Sequence, residues 1–172
     1  LGTAALAQMS AEIVPPLTLM LGALKKLIDK AEAHCAARKI DPEAFLRMRL
    51  FPDMFPFTKQ VQLASDFAKG TAARLSGVAN PPMPDTEASF AELRERLQKT
   101  LDFLASVPRE AFDGAAAREI VFRTRGQDVT APGRVYAGTI GLPQFYFHMT
   151  TAYNLLRHGG VEIGKADFLG RS

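Results

Sequence analysis

Three histidines, His34, His148 and His158, and one cysteine, Cys35, are the imidazole and thiol groups of a 172-residue sequence. Two of the histidines fall in the stretch FYFHMTTAYNLLRHGG at 145 to 160. An inward-facing histidine in a helical protein can hold a metal, act as a base, or fill space with one hydrogen bond. Successive helix residues turn by about 100° and rise by about 1.5 Å, so Phe145, His148, Ala152, Leu155 and Leu156 share one face. His148 is therefore expected to point into the protein. His158 lies about 15 Å further along and roughly 80° around, too far to ligate the same ion. Its position before Gly159-Gly160 suits an interaction with the last carbonyls of a helix.

An inward imidazole needs a hydrogen-bond partner. Gln62, Asp66 and Lys69 stand at i, i+4 and i+7 of an otherwise apolar segment. One reading makes them a solvated face. The other places Asp66 or Gln62 across from His148, so that Gln62, Asp66 and His148 become candidate ligand-binding residues. A pair of His148 and Asp66, the candidate catalytic residues, can orient a base or supply two ligands of an incomplete metal site. Tyr153 and Asn154 lie off the His148 face. His34 sits in line with Leu27 and Ala31 and reads as a packing histidine. Cys35 has no second cysteine, which excludes an internal disulfide and a metal cluster built on cysteine pairs. Nothing near it suggests an activated thiol, and a lone cysteine favours a reducing, cytoplasmic setting.

Periodicity supplies the elements that must position these groups. Leu17, Met20, Leu21, Leu24, Leu27, Ile28 and Ala31 recur at spacings of three and four, predicting a helix over Pro16 to Arg38 with Pro15 and Pro16 in its first turn. Asp41-Pro42 opens a short helix through Leu50. The segment LFPDMFPF at 50 to 57 reads as a proline-broken apolar corner buried at one end of the molecule. A second long helix is expected over Phe57 to Leu75, stopped by Gly77 and the loop VANPPMP. The third begins between Asp85 and Ser89, where Ser89 and Glu92 have capping-box spacing, and ends by Pro108. Ile120, Phe122 and Val129 around Gly126 suggest a small β-hairpin before the last helix. That helix is expected over Ile140 to Arg157. The fold class is all-α, a four-helix bundle in one domain.

Hydrophobic residues make up 47% and charged residues 23%, the balance of a folded globular chain. The net charge is +3, with no run of basic residues, so no nucleic-acid partner is expected. The longest apolar stretch, IVPPLTLMLGAL, is too short to cross a bilayer, and no membrane partner is expected. The opening LGTAALAQ ends in Ala-Leu-Ala without a preceding basic region. It reads as an N-terminal extension over 1–8, with the domain at 9–170 and Met9-Ser10 as a plausible natural start.

The segments LFPDMFPFTKQVQLASDFAKGTAARLSGV, SFAELRERLQKTLDFL and FYFHMTTAYNLLRHGGVEIGKADFLG resemble the bacterial domain-of-unknown-function family 1993, within the DinB/YfiT-like superfamily of metalloenzymes. The resemblance spans about Met9 to Gly170. It implies an up-down-down-up bundle, often paired as a homodimer through helix faces. It also implies a divalent metal held by one histidine on the second helix and an HxxxH pair on the fourth, with chemistry on small molecules assisted by thiols. His148 matches the first histidine of that pair, but Ala152 stands where the second belongs. The second-helix segment SDFAKG offers Asp66 and Phe67 and no histidine. His148 is thus the only match to the ligand pattern, and no complete metal site is expected. Two functions follow as expectations: a metal-free bundle that binds a small molecule or serves as a dimeric interaction domain, or an enzyme (transferase, isomerase or hydrolase) using His148 with Asp66 or a weakly held divalent metal.

Overall fold

The computed structural model describes residues 8–171; the expected extension lies outside them, save for Gln8. Along the chain come α1 (Gln8–Arg38), α2 (Pro42–Leu46), α3 (Phe57–Ser76), α4 (Phe90–Ser106) and a 3-10 turn (Arg109–Phe112). A hairpin of β1 (Glu119–Thr124) and β2 (Gln127–Pro132) follows. After it run α5 (Gly133–Tyr136), a π-turn (Ala137–Gly141), α6 (Leu142–His158) and α7 (Lys165–Phe168). The four long helices form the expected bundle: α1 packs on α4 and α6, and so does α3. No helix among the described residues is long and apolar enough to cross a membrane.

Local chemistry accounts for most of the boundaries. Ser89 Oγ accepts from the Glu92 amide at 3.2 Å and starts α4, while Glu92 reaches back to the Ala88 amide at 2.6 Å. Gly77, with φ of 76°, ends α3 in the left-handed conformation that glycine adopts without strain. Arg125 and Gly126 also have positive φ, at 49° and 79°, which gives the two-residue hairpin turn the twist its strands require. Phe122 of β1 lies opposite Val129 and packs on Tyr136, with ring centroids 5.2 Å apart. The hairpin is thereby fastened to the start of the last helical segment.

Three expectations change. First, α1 does not begin at the prolines but runs through them. Met9 and Ile13 are buried and extend the stripe of Leu17, Leu21, Leu24 and Ile28 upstream. Burial of this longer face offsets the amide donors lost at Pro15 and Pro16. Second, α2 stops at Leu46 and the corner after it is not buried. Phe51 is 63% exposed and Phe55 52%, and only Phe57 is sealed in the core. The corner is held by polar contacts instead: Phe57 N donates to Met48 O at 2.9 Å, and Arg49 to Met54 O at 2.5 Å. Third, the last helical segment starts at Gly133, seven residues early, and contains the π-turn immediately before Pro143. Pro143 lacks an N–H, so the helical ladder is already interrupted there.

The contact between α3 and α6 is the most extensive in the bundle. Ala64, Ala68 and Ala72 of α3 and Ala152 of α6 are fully buried. At one end, Gly141 faces Thr71, and a Cβ on Gly141 would lie 2.5 Å from Thr71 Oγ1. Gly141→Ala should therefore force the two helices apart and destabilise the fold by about 1–3 kcal/mol. Urea denaturation would show this as a lower midpoint with an unchanged slope; an unaltered midpoint would mean the contact yields freely.

Candidate functional site

His148 lies on α6 where it crosses the first half of α3, and it is 7% exposed. Its Nδ1 is 2.7 Å from Gln60 Oε1. The Gln60 amide nitrogen donates to Phe55 O at 3.1 Å, which turns the amide oxygen toward the imidazole. An amide oxygen only accepts, so Nδ1 carries the proton and, in the neutral ring, Nε2 carries the lone pair. Phe67 stacks on the imidazole with centroids 5.5 Å apart and planes 7° from parallel. Phe147 stands edge-on at 5.1 Å and 88°. The ring is thus fixed on one edge and one face.

Nε2 differs from Nδ1. Among the described residues no protein group bonds it, and the only sealed side-chain polar atom without a partner is Thr71 Oγ1. Nε2 therefore keeps a small opening to solvent. Phe147, 56% exposed, borders the ring, and the exposed Phe55 supplies the carbonyl that holds Gln60. Burial lowers the His148 pKa from 6.5 to about 4, with the positive charge of Lys59 acting in the same direction. At neutral pH the ring is an uncharged acceptor.

Asp66 is not its partner. It accepts from Arg96 Nη2 at 2.8 Å and lies 3.5 Å from Lys69 Nζ. The expected pairing of His148 with Asp66 is replaced by pairing with Gln60. Gln62, also a candidate, donates to Glu87 Oε2 at 2.8 Å, and Lys69 donates to Pro81 O at 2.7 Å. The polar stripe of α3 is therefore neither a solvated face nor a wall of the histidine site. The loop 77–89 folds over it, with Gln62 and Lys69 buried beneath.

Arg96 of α4 is the centre of that cover. Its side chain is 1% exposed and reaches Asp66, Asp85 at 3.1 Å and Glu87 at 3.1 Å, as well as Ser65 Oγ and Pro84 O. Burial opposes its charge, but Asp66 and Glu87 outweigh that effect and raise its pKa. Lys59 closes the set by pairing with Asp85 at 2.5 Å.

The remaining candidates separate. His158 is the last residue of α6 and is exposed, and no hydrogen bond to the last carbonyls of the helix is formed by it among the described residues. His34 meets Phe45 edge-on at 5.7 Å. Cys35 is buried, and burial raises its thiol pKa, with Asp41 and Glu32 adding to the effect. Ala152 is sealed in the core one turn beyond His148. Among the described residues no three His, Cys, Asp or Glu side chains are grouped as metal ligands. Around His148 the donor set is one imidazole nitrogen, with the Gln60 oxygen already engaged, and this does not fit a three-ligand zinc-type centre.

Gln60, Phe67 and Phe147 did not emerge from the sequence reading. Gln60 carried a signal: it lies between Phe57 and Ala64 on the buried face of α3, a polar residue on an apolar stripe.

A model of a family described as a domain of unknown function (DUF1993) matches residues 9–169. The crystal structure of a DinB family member protein from Shewanella denitrificans is similar, with a TM-score of 0.91 and 37% identity over 97% of this chain and 94% of that one. No curated protein matches the chain.

The His148 geometry sets a pH dependence. A histidine whose pKa is lower folded than unfolded favours the native state fully above pH 6.5, and that contribution is lost as pH falls from 6.5 toward 4. The loss should approach about 3 kcal/mol. NMR of the imidazole should give a midpoint near 4 in the native chain and in Asp66→Asn alike. A midpoint near 6.5 would show a solvated ring, and a strong response to Asp66→Asn would restore the pairing with Asp66.

Proposed function

Since the chain belongs to the DUF1993 family and has the DinB-like fold, we propose that it binds a small organic molecule at His148 without a resident metal. One observation carries this reading: among the described residues Nε2 is an acceptor without a protein partner, on an imidazole held by Gln60 whose ring centroid lies 5.1 Å from that of the exposed Phe147. A nearly buried acceptor left unpaired is unfavourable unless water or a ligand donates to it. Small-molecule sites use a few placed polar atoms among apolar and aromatic side chains to fix orientation. The catalytic alternative, with His148 as a base, would have to operate without Asp66, which is committed to Arg96. A second copy of the chain covering Phe51, Phe55 and Phe147 is the competing reading, favoured by the same exposed rings.

Ligand-observed NMR with a fragment library should yield binders whose signals are lost with His148→Phe and weakened with Phe147→Ser, the latter a surface change that leaves the fold intact. Binders indifferent to both substitutions would overturn the reading. Sedimentation at micromolar concentration distinguishes the dimer, whose dissociation Phe51→Ser and Phe147→Ser would promote.

Metal is a separate question with its own measurement. After incubation with zinc, nickel and manganese, untagged protein should retain well under one ion per chain. Stoichiometric metal lost on His148→Ala would show that ligands are recruited beyond those grouped around the imidazole.

A further inference from the structure

The hairpin pairs Thr124 with Gln127, Phe122 with Val129 and Ile120 with Ala131. The phase of its ladder is fixed at the far end, where Gly133 N donates to Arg118 O at 2.8 Å. Bonded and non-bonded positions alternate along an antiparallel pair, so Arg118, Ile120, Phe122 and Thr124 aim their backbone groups at β2. Pro132, opposite Glu119, fits this phase because a proline has no N–H to give. Glu119, Val121 and Arg123 therefore turn their N–H and C=O groups away from β2. Among the described residues no other element bonds those groups.

The two edges of the hairpin are unlike. The outer edge of β2 presents Asp128, Thr130 and Pro132, and its missing donor blunts further pairing. The outer edge of β1 keeps every donor, and its middle residue, Val121, is 61% exposed. Glu119 and Arg123 flank Val121 on the same exposed face. Laid antiparallel to itself with Val121 opposite Val121, this strand sets Glu119 against Arg123 of a second copy, at both ends. The same register brings the outward N–H groups of each strand to the outward C=O groups of the other. Arg123 already donates to Gly126 O at 2.9 Å through Nη2, which leaves its other nitrogens for the carboxylate.

We infer that the β1 edge pairs with the β1 edge of a second copy, two hairpins forming one four-stranded antiparallel sheet with its two-fold axis at Val121. The occupant is a second copy because the edge is complementary in charge to itself. This interface goes beyond the His148 reading, shares no residue with it, and lies apart from Phe51, Phe55 and Phe147. Strands of six residues make it small, in the weak and transient class.

Sedimentation over about 20 µM to 0.5 mM should show a reversible monomer–dimer equilibrium, the range suited to a small interface. Val121→Pro removes an N–H that the hairpin itself does not use. It should weaken the dimer roughly tenfold or more with thermal unfolding unchanged. Glu119→Arg and Arg123→Glu should each weaken self-association roughly tenfold, and an equimolar mixture of the two variants should restore it as a heterodimer. Mixing would not repair a folding defect. A chain that stays monomeric throughout would overturn the inference. So would a dimer that responds to Phe51→Ser or Phe147→Ser and not to Val121→Pro, which would put the second copy on the exposed phenylalanines. Variants that do not recover on mixing would overturn the pairing of Glu119 with Arg123. The fragment screen at His148 decides the small-molecule reading separately.

Discussion

The close packing of α3 against α6 is the constraint on which the site depends. At one end Gly141, in the turn leading into α6, approaches Thr71 of α3 so closely that a Cβ would lie 2.5 Å from its Oγ1, and Ala152 of α6 is fully buried. Only at that separation can a side chain as short as histidine cross from α6 and meet a glutamine of α3 at 2.7 Å. Larger residues in the seam would widen it and leave Gln60 and His148 as two buried polar groups without partners, each at a penalty of about 1–3 kcal/mol. The small residues thus do more than fill a core. Ala152 in particular occupies the turn after His148 as a packing residue, so the place where the resemblance expects a second imidazole belongs to the helix seam.

Helix α3 carries two polar systems that share no hydrogen bond. On its inner side Gln60 serves His148. Around its flank Gln62, Asp66 and Lys69 serve Arg96, Glu87 and the backbone of the loop 77–89. The second system is a charge network in which Arg96 meets three carboxylates while Lys59 and Lys69 share two of them. A guanidinium buried to this degree is tolerated because every direction of its fork finds an acceptor. Its effect is to tie a loop rich in proline to the bundle. Lys59 is the one link between the systems, since its charge bears on His148 through space.

Much of the fold was legible because it rests on local rules. The Ser89 cap, the Gly77 stop and the hairpin around Gly126 follow from residue types within a few positions of each other. The reading failed where distant parts of the chain decide. Pro15 and Pro16 look like a helix start until Met9 and Ile13 are seen to be buried. The corner at 50 to 57 looks like core by hydropathy, yet its backbone bonds turn Phe51 and Phe55 outward. The stripe of Gln62, Asp66 and Lys69 looks solvated or catalytic by spacing, and only the returning loop makes it structural. For His148 the inward direction was readable from helical rotation. Its partner was not, because periodicity names a face and says nothing of which residue on the opposite helix sits at the same height.

The partner that the chain uses changes the chemistry of the imidazole. A carboxylate at Nδ1 stabilises the imidazolium and raises the basicity of Nε2, the arrangement that proton transfer needs. Gln60 holds the same tautomer without adding negative charge, and burial with Lys59 pushes the ring the other way, to a pKa of about 4. At pH 7 roughly one ring in a thousand would carry a second proton. General bases work best with a pKa near the working pH, and this one is some three units below it. A hydrogen-bond acceptor has no such requirement, because it must stay unprotonated and point in one direction. Gln60, Phe67 and the α3–α6 seam meet both conditions, and this is what supports the proposed binding role of His148 over a role as a base.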